Sequence, residues 1–354
     1  VLFSKLMQIN DLKFRLLSDN AIPWGKIERC YDSTPYKKEK WANFLFNTQK
    51  VKPWVVEITY GNNHILGWFY AQRIKRFGIP MVVSPIEGWT TSYQGLSLKK
   101  EITTSERVEL YENLIQWLFR NNHCWYVQVS DWQLELEEVK NRFYYDVLLG
   151  YRLTLKKDFE TEIYKNFKEK SAKYSIKKAR KSGIEIRHAY DANSFAENYF
   201  TQLVEVFGRQ GLKPTYSKSR IIELCKALTP DRDILLLEAY LPKSEKCIAT
   251  GLFLKDENLA IYFGAASFGE YQKLCPNELL MNDAIKWLNE QGVKEMEFGG
   301  GRKYKEKYGP IPFQKPKIMV AKYPILITMK RLAKKSYYGM RELFAKMKGK
   351  KTKK

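Results

Sequence analysis

The sequence predicts an α/β protein made of two tandem units. Stretches that alternate between apolar and polar residues, typical of strands, are interspersed with stretches of helical periodicity along most of the chain. The order hairpin, strand, helix, strand occurs twice, starting at Trp54 and again at Asp233, and a duplicated unit explains this economically. The length of 354 residues fits two domains, and 44% hydrophobic residues are enough for two cores.

The first half contains one copy of this order. Two alternating apolar runs flank a turn rich in Gly and Asn and therefore predict a hairpin. A long polar and aromatic loop follows at residues 85–96. The predicted elements are a helix at 41–47, a hairpin at 54–60 and 65–74, a strand at 81–84, a helix at 105–120 and a strand at 125–130.

The second half contains the other copy. It begins with a basic stretch at 165–181, which has eight Lys or Arg residues against one acid and is predicted to be a helix ending at Gly183. Pro276 suits the first turn of a later helix, which stops at Gly292. The remaining predicted elements are a strand at 184–187, helices at 194–207 and 219–228, a hairpin at 234–240 and 247–254, a strand at 261–265 and a strand at 293–298.

The C-terminal stretch carries much of the net charge of +22, because residues 328–354 hold 11 Lys or Arg residues and one acid. Six apolar side chains recur there at helical spacing and predict a basic amphipathic helix: Met329, Leu332, Met340, Leu343, Phe344 and Met347. Such a helix can dock on the protein core, on an anionic bilayer or on nucleic acid. We place the domain boundaries at 1–154, 155–325 and 326–354.

Several functional classes are disfavoured by composition. The five cysteines are scattered without a Cys-x-x-Cys pair, and the three histidines lie far from other candidate ligands, which argues against a metal site or a Ser-His-Asp site. No apolar run is long enough for a membrane span, and the first residues do not read as a signal peptide. We therefore expect a cytoplasmic enzyme without a metal, with a peripheral contact at the inner face of the membrane as a further expectation.

Residues 261–309 carry the most specific pattern of the chain: IYFGAAS, then PNELLMNDAI, then EFGGG, then YKEKYG. This stretch resembles the acyltransferase half of the FemAB-like proteins, a branch of the GNAT superfamily that includes peptidoglycan aminoacyltransferases. The resemblance extends in outline over residues 30–325. It implies two tandem GNAT-like domains, each a mixed, mostly antiparallel sheet flanked by helices, and an enzyme that acylates an amino group of a cell-wall or surface-glycan precursor without a covalent enzyme intermediate.

Two residues near the glycine run are catalytic candidates. Lys305 follows the run, and a cation there can stabilise the developing oxyanion of acyl transfer, although a solvated surface lysine has the same local sequence. The resemblance favours the catalytic interpretation, because Tyr304 and Lys305 match an aromatic-Lys pair of the family. Glu297, directly before Phe298 and the glycines, can accept the amine proton or can bind the loop amides.

Four residues are candidates for substrate binding. Arg209 can hold a phosphate bidentately, although an arginine at a helix end often pairs with the last carbonyls. In the family an Arg-x-Gly-aromatic sequence precedes a tyrosine, and this chain keeps Arg209 and Tyr216 but has Leu212 at the aromatic position. Tyr304 and Lys177 complete the set, Lys177 because the basic helix matches the start of the second domain of the family, although a solvated helix face is equally consistent.

The acyl donor is left open between acyl-CoA and aminoacyl-tRNA, and no bound cofactor is expected. The segment 272–278, where acetyl-CoA-dependent GNAT enzymes have a glycine-rich pyrophosphate turn, contains no glycine and includes Glu278. Members of the family that use aminoacyl-tRNA often carry a coiled-coil arm, which this chain lacks. The expected acceptor is a glycan or peptidoglycan precursor, soluble or lipid-linked. The alternative function is a non-catalytic basic adaptor that binds nucleic acid or an anionic membrane.

Overall fold

The structure, a computed structural model, describes residues 12–88, 90–332 and 336. Helical backbone is also present at residues 325–332. The strands are β1 (Lys13–Leu16), β2 (Trp54–Tyr60), β3 (His64–Arg76), β4 (Ile79–Ser84), β5 (Gly95–Leu98), β6 (Tyr126–Ser130), β7 (Tyr144–Thr154), β8 (Glu185–His188), β9 (Ile234–Tyr240), β10 (Cys247–Leu254), β11 (Leu259–Ser267), β12 (Glu295–Glu297) and β13 (Ile311–Ala321). The α-helices are α1 (Trp24–Ile27), α2 (Glu39–Gln49), α3 (Thr104–Arg120), α4 (Leu136–Val139), α5 (Tyr174–Lys181), α6 (Ala192–Gly208), α7 (Lys218–Ala227) and α8 (Pro276–Glu290).

The chain packs into two compact units that are not contiguous in sequence. Among the described residues, unit 1 comprises 12–70, 96–101 and 147–315, and unit 2 comprises 71–88, 90–95, 102–146 and 316–332. The domain boundaries proposed at residues 154 and 325 stay predictions.

The largest sheet of unit 1 is mixed and mostly antiparallel. Strands β8, β9, β10 and β11 pair antiparallel in this order, β11 pairs parallel with β12, and β12 pairs antiparallel with β7. Helices α6 and α8 pack on β10 and β11. Helix α8 begins at Pro276 and buries the apolar stripe formed by Leu279, Leu280, Ile285 and Leu288 in the main core, because these residues recur at helical spacing.

Unit 2 repeats the same local arrangement. The end of β3 pairs antiparallel with β4, β4 pairs parallel with β6, and β6 pairs antiparallel with β13. Helix α3 connects the two parallel strands, as α8 connects β11 and β12 in unit 1, and it begins with a capping box between Thr103 and Glu106. A strand, a helix and a parallel strand therefore occur in both units, which confirms the predicted tandem α/β architecture.

The basic stretch at 165–181 is not one helix, which corrects the prediction. Only α5 is an α-helix; a π-helical turn at Glu169–Lys173 precedes it directly, and a 3₁₀ turn lies further back at Tyr164–Asn166. Phe167 is extended and buried, and the Lys168 amide donates a hydrogen bond to the Lys307 carbonyl at 2.9 Å. Because this amide bonds to a distant segment, the helix pattern in the sequence is interrupted.

Only the start of the predicted C-terminal helix is described. Ile327 is buried against Tyr126 and Met319, whereas Met329 and Leu332 are 56% and 60% exposed. The other predicted apolar positions, Met340, Leu343, Phe344 and Met347, lie outside the described residues. Within unit 2 the helix start thus packs on the sheet through Ile327, while Met329 and Leu332 remain largely exposed.

Candidate active site

The two parallel strands of the unit 1 sheet separate at the candidate site. The parallel register joins Leu259–Ile261 of β11 to Glu295–Glu297 of β12. Strand β11 then continues to Ser267, whereas β12 ends and the glycines Gly299–Gly301 lead the chain away. Beyond Ile261, β11 therefore has no β12 residue paired to it, and we call this break in the pairing the gap. Backbone groups without a strand partner can bond to polar substrate atoms.

Lys305 closes the β12 side of this gap. Its side chain is only 6% exposed, and its Nζ donates to the carbonyl oxygens of Phe298 at 2.6 Å, Gly299, and Gly300 at 3.2 Å. Gly299 and Gly300 have positive φ angles of 59° and 37°, a conformation that favours glycine. The glycine run therefore turns its carbonyls toward one ammonium group, and Lys305 organises the loop.

The charge on Lys305 is easily lost. Burial and, to a smaller extent, the charge of Arg302 lower the pKa of the Lys305 ammonium to about 8, although Glu297 opposes both effects. Glu297 is the last residue of β12, is 2% exposed and lies opposite Arg152 of β7, whose Nη2 is 3.4 Å from its Oε2. The structure thus brings Lys305 and Glu297 into one buried electrostatic group.

Four tyrosines lie along the same region. The hydroxyls of Tyr199 on α6 and Tyr216 are 3.0 Å apart, and Tyr262 on β11 shares a hydrogen bond with Tyr304. Tyr216 also acts electrostatically on Tyr262, and the ring of Tyr304 lies 5.8 Å from Lys305 Nζ. Burial raises the pKa of all four hydroxyls, so they act as neutral donors and acceptors. They form a tyrosine row that ends at Lys305.

Gly264 makes room for this row. It follows Tyr262 by two residues on β11, across a shift in the register between β10 and β11 that leaves Phe263 as the extra residue. A Cβ atom at position 264 would lie 2.5 Å from the Tyr199 hydroxyl, closer than van der Waals contact allows. A glycine is therefore required here for Tyr199 to approach the strand.

Arg209 lies at the other end of β11. It caps the C-terminus of α6, and its Nη1 is 3.0 Å from Glu205 Oε1, which also accepts a hydrogen bond from the Gly269 amide at 2.7 Å. A Cβ atom at Gly269 would lie 2.0 Å from the guanidinium. Arg209 is thus held against the turn that follows β11, with about a third of its side chain exposed to solvent.

Two further residues that the sequence singles out, Lys177 and Glu278, are charged. Lys177 lies on the exposed face of α5, where it lowers the pKa of Glu169 together with Lys173. Glu278, in the first turn of α8, lies 2.5 Å from Lys307 Nζ. Lys307 offsets the negative charge of Glu278, so the repulsion of phosphate inferred from the sequence is reduced.

Tyr199, Tyr262 and Gly264 were not identified from the sequence. Tyr262 and Gly264 lie in the apolar run predicted as a strand, but nothing local marks them as site residues, and Tyr199 reaches the row only through the packing of α6 on β11. In the part of the chain that the structure describes, no group of three or more His, Cys, Asp or Glu side chains is placed to bind a metal. Nor does any described helix have the length and apolar character that a bilayer crossing requires.

Comparison with protein families identifies the region around this site. Residues 166–308 match the family model described as an acetyltransferase (GNAT) domain. The chain therefore contains a GNAT acyltransferase domain. The matched region of this acyltransferase includes all six candidate site residues named from the sequence: Lys177, Arg209, Tyr216, Glu297, Tyr304 and Lys305.

Solved structures support the same fold over most of the acyltransferase. FemX aligns with a TM-score of 0.67 at 11% identity, covering 87% of this chain and 97% of FemX. L-PGS from Bacillus licheniformis aligns with a TM-score of 0.51 at 14% identity, covering 83% of this chain and 90% of that one. No curated protein matches in sequence. The resemblance to FemAB-like proteins is thereby confirmed at the level of the fold.

Proposed function

We propose that this GNAT acyltransferase transfers an acyl or aminoacyl group to an amino group of a cell-wall or surface-glycan precursor. The observation that carries the proposal is the gap between β11 and β12, with Lys305 and the tyrosine row along it. FemX and L-PGS, which share the fold, support an aminoacyl group and an acceptor that is a glycan or lipid-linked precursor.

The reaction is a direct transfer. The acceptor amine attacks the donor carbonyl, the new C–N bond forms as the bond to the leaving group breaks, and the amine gives up one proton. The carbonyl oxygen gains negative charge in the transition state, so a nearby donor lowers the barrier. No covalent enzyme intermediate is needed for this chemistry.

Lys305 supplies that donor in our proposal. Its ammonium group donates to the carbonyls of Phe298, Gly299 and Gly300. The bond to the Gly300 carbonyl, at 3.2 Å, is the longest of the three. Rotation of the Gly300 carbonyl upon substrate binding would free one N–H for the oxyanion. Glu297, buried beside Lys305, is the proposed acceptor of the amine proton by way of the tyrosine hydroxyls.

In our proposal, the charges of nearby side chains indicate where the acceptor and the donor bind. Arg209 and Tyr216 are proposed to hold a phosphate-bearing acceptor at the far end of β11, since the Arg209 fork is partly exposed. The exposed cations of α5, including Lys177, favour a polyanionic donor such as an aminoacyl-tRNA over acyl-CoA. Acyl-CoA is the second candidate, because GNAT domains use it as co-substrate.

Mass spectrometry of a precursor pool, incubated with the protein and either charged tRNA or an acyl-CoA mixture, tests the proposal. A fixed mass increment on the acceptor identifies the transferred group, and its loss after ribonuclease treatment assigns the tRNA donor. The Lys305→Met variant is the control for chemistry without catalysis. No increment with either donor, together with salt-sensitive binding of tRNA, would instead support the adaptor function.

A further inference from the structure

The turn between β3 and β4, in unit 2, has an unusual residue at its tip. Arg76 pairs with Ile79, so Phe77 and Gly78 form a two-residue turn, and both have positive φ angles, 50° and 80°. Such turns favour Asn-Gly, and a bulky side chain with positive φ is strained. The Phe77 side chain is also fully exposed, at 101%. Neither turn geometry nor core packing accounts for a phenylalanine at this position.

Strand pairing brings two further exposed aromatic residues to the same edge. The start of β4 lies beside the start of β6, where the Trp125 amide donates to the Pro80 carbonyl at 2.8 Å. The end of β13 lies on the other side of β6, where the Lys322 amide donates to the Trp125 carbonyl at 2.9 Å. The rings of Trp125 and Tyr323 are in edge contact with centroids 5.8 Å apart. We call Phe77, Trp125 and Tyr323 the aromatic edge.

The charge around the aromatic edge has one sign. The three segments that meet there, residues 73–80, 120–125 and 321–327, contain no Asp or Glu. They contain five cations: Arg73, Lys75, Arg76, Arg120 and Lys322. Arg73 donates to the His123 carbonyl, and Lys322 donates to the side-chain oxygen of Asn122. Because both acceptors are neutral, these hydrogen bonds do not compensate the positive charges.

The helix that follows the aromatic edge extends the apolar surface. Its Lys330 donates to the Tyr126 hydroxyl at 3.0 Å and to Gln128, and Ile327 is buried, so this side of the helix faces the sheet. Its other side exposes Ile325, Met329 and Leu332, spaced at i, i+4 and i+7. The exposed apolar side chains are thus continuous in sequence with Tyr323.

We propose that the aromatic edge of unit 2 binds the surface of an anionic lipid bilayer. The interface between the headgroups and acyl chains of such a bilayer is partly apolar and carries negative charge. The aromatic side chains at these strand ends match the first property, and the surrounding cations match the second. Phe77 enters the interface, while Trp125 and Tyr323 lie at headgroup depth. Lysine and arginine near the surface add electrostatic attraction to anionic lipids. This proposal does not depend on the acyl-transfer reaction.

Replacement of Phe77 by Asn in the full chain tests the proposal without changing charge. Asn tolerates positive φ, so the thermal midpoint should be equal or higher. Partition onto vesicles of phosphatidylserine and phosphatidylcholine should fall about ten-fold, equivalent to about 1.4 kcal/mol. The matched control is Ile311→Asn, which removes another highly exposed apolar side chain, 71% exposed, in unit 1 and should leave partition unchanged.

A fluorescence measurement gives an independent readout. Cys275 is the one partly exposed cysteine of the five, so Phe77→Cys in a Cys275→Ser background can be labelled with a polarity-sensitive fluorophore. Its emission should shift to the blue with anionic vesicles and stay unchanged with neutral ones. Equal partition of wild type and Phe77→Asn, a label that stays in water, or no vesicle binding by the wild type would each overturn the proposal. The first two outcomes would assign any binding to the basic C-terminal stretch instead.

Discussion

Replacement of Lys305 by Arg should remove the fall in rate at alkaline pH, that is, the alkaline limb of the pH–rate profile. The pKa of Lys305 is lowered to about 8 by burial and Arg302, so the protonated fraction falls from about 90% at pH 7 to about 10% at pH 9. If the protonated form stabilises the oxyanion, this loss lowers the wild-type rate about nine-fold over that interval. An arginine stays charged throughout. The ratio of wild-type to Lys305→Arg rates should therefore fall about nine-fold between pH 7 and 9.

The assay compares initial rates by mass spectrometry of the acylated acceptor from pH 6.5 to 9.5. The ratio cancels the ionisation of the acceptor amine, which affects both proteins equally. Because Glu297 raises the pKa of Lys305, Glu297→Gln should move the alkaline limb to lower pH. Lys305→Met should lower turnover about 100-fold or more at pH 7, and the deficit should shrink toward pH 9 as the wild type loses its ammonium proton.

A ratio that stays constant across this range, with both proteins folded by circular dichroism, would refute the reasoning. Near-normal turnover by Lys305→Met would refute it more directly. In that case the three carbonyl contacts of Lys305 would serve only to hold the glycine loop.

Three further predictions concern other parts of the structure. Gly264→Ala should destabilise the fold by about 1–3 kcal/mol through its clash with Tyr199, and Tyr199→Phe should recover part of this loss in urea unfolding; additive effects would exclude the clash. Arg209→Lys should raise KM for a phosphate-bearing acceptor about ten-fold with little change in kcat, and the same rise with a dephosphorylated acceptor would make the arginine structural. Lys330→Met should free the helix start from unit 2, so trypsin should cut after residue 322 faster than in wild type; an unchanged cleavage rate would contradict the docking seen here.

Sequence patterns correctly predicted strands that pair with a strand close by in the sequence. The hairpin of β9 and β10 has the predicted bounds, because two apolar runs flank one turn and pair with each other. Strand β13 was not predicted. It contains Pro312 and Pro316, which argue against a strand in the sequence, but its pairing with β6 depends on residues almost two hundred positions away.

The residues of the candidate site also divide into those that are neighbours in sequence and those that only packing brings together. Tyr304 and Lys305 were found because they follow the glycine run directly in sequence. Tyr199 and Tyr262 belong to the same row, yet they come from a helix and a strand about sixty residues apart. Only the packing of α6 on β11 brings them together, and a single sequence contains no local record of that packing.

The pairing of β13 with β6 has a consequence for synthesis of the chain. Strand β6 is central in its sheet, between β4 and β13, but β13 leaves the ribosome long after both. Until then β6 presents an open edge of unpaired amides and carbonyls, which is a template for intermolecular pairing. A fragment that stops at residue 154 keeps that edge permanently. We expect such a fragment to aggregate, and the nascent chain to need protection of this edge for most of its elongation.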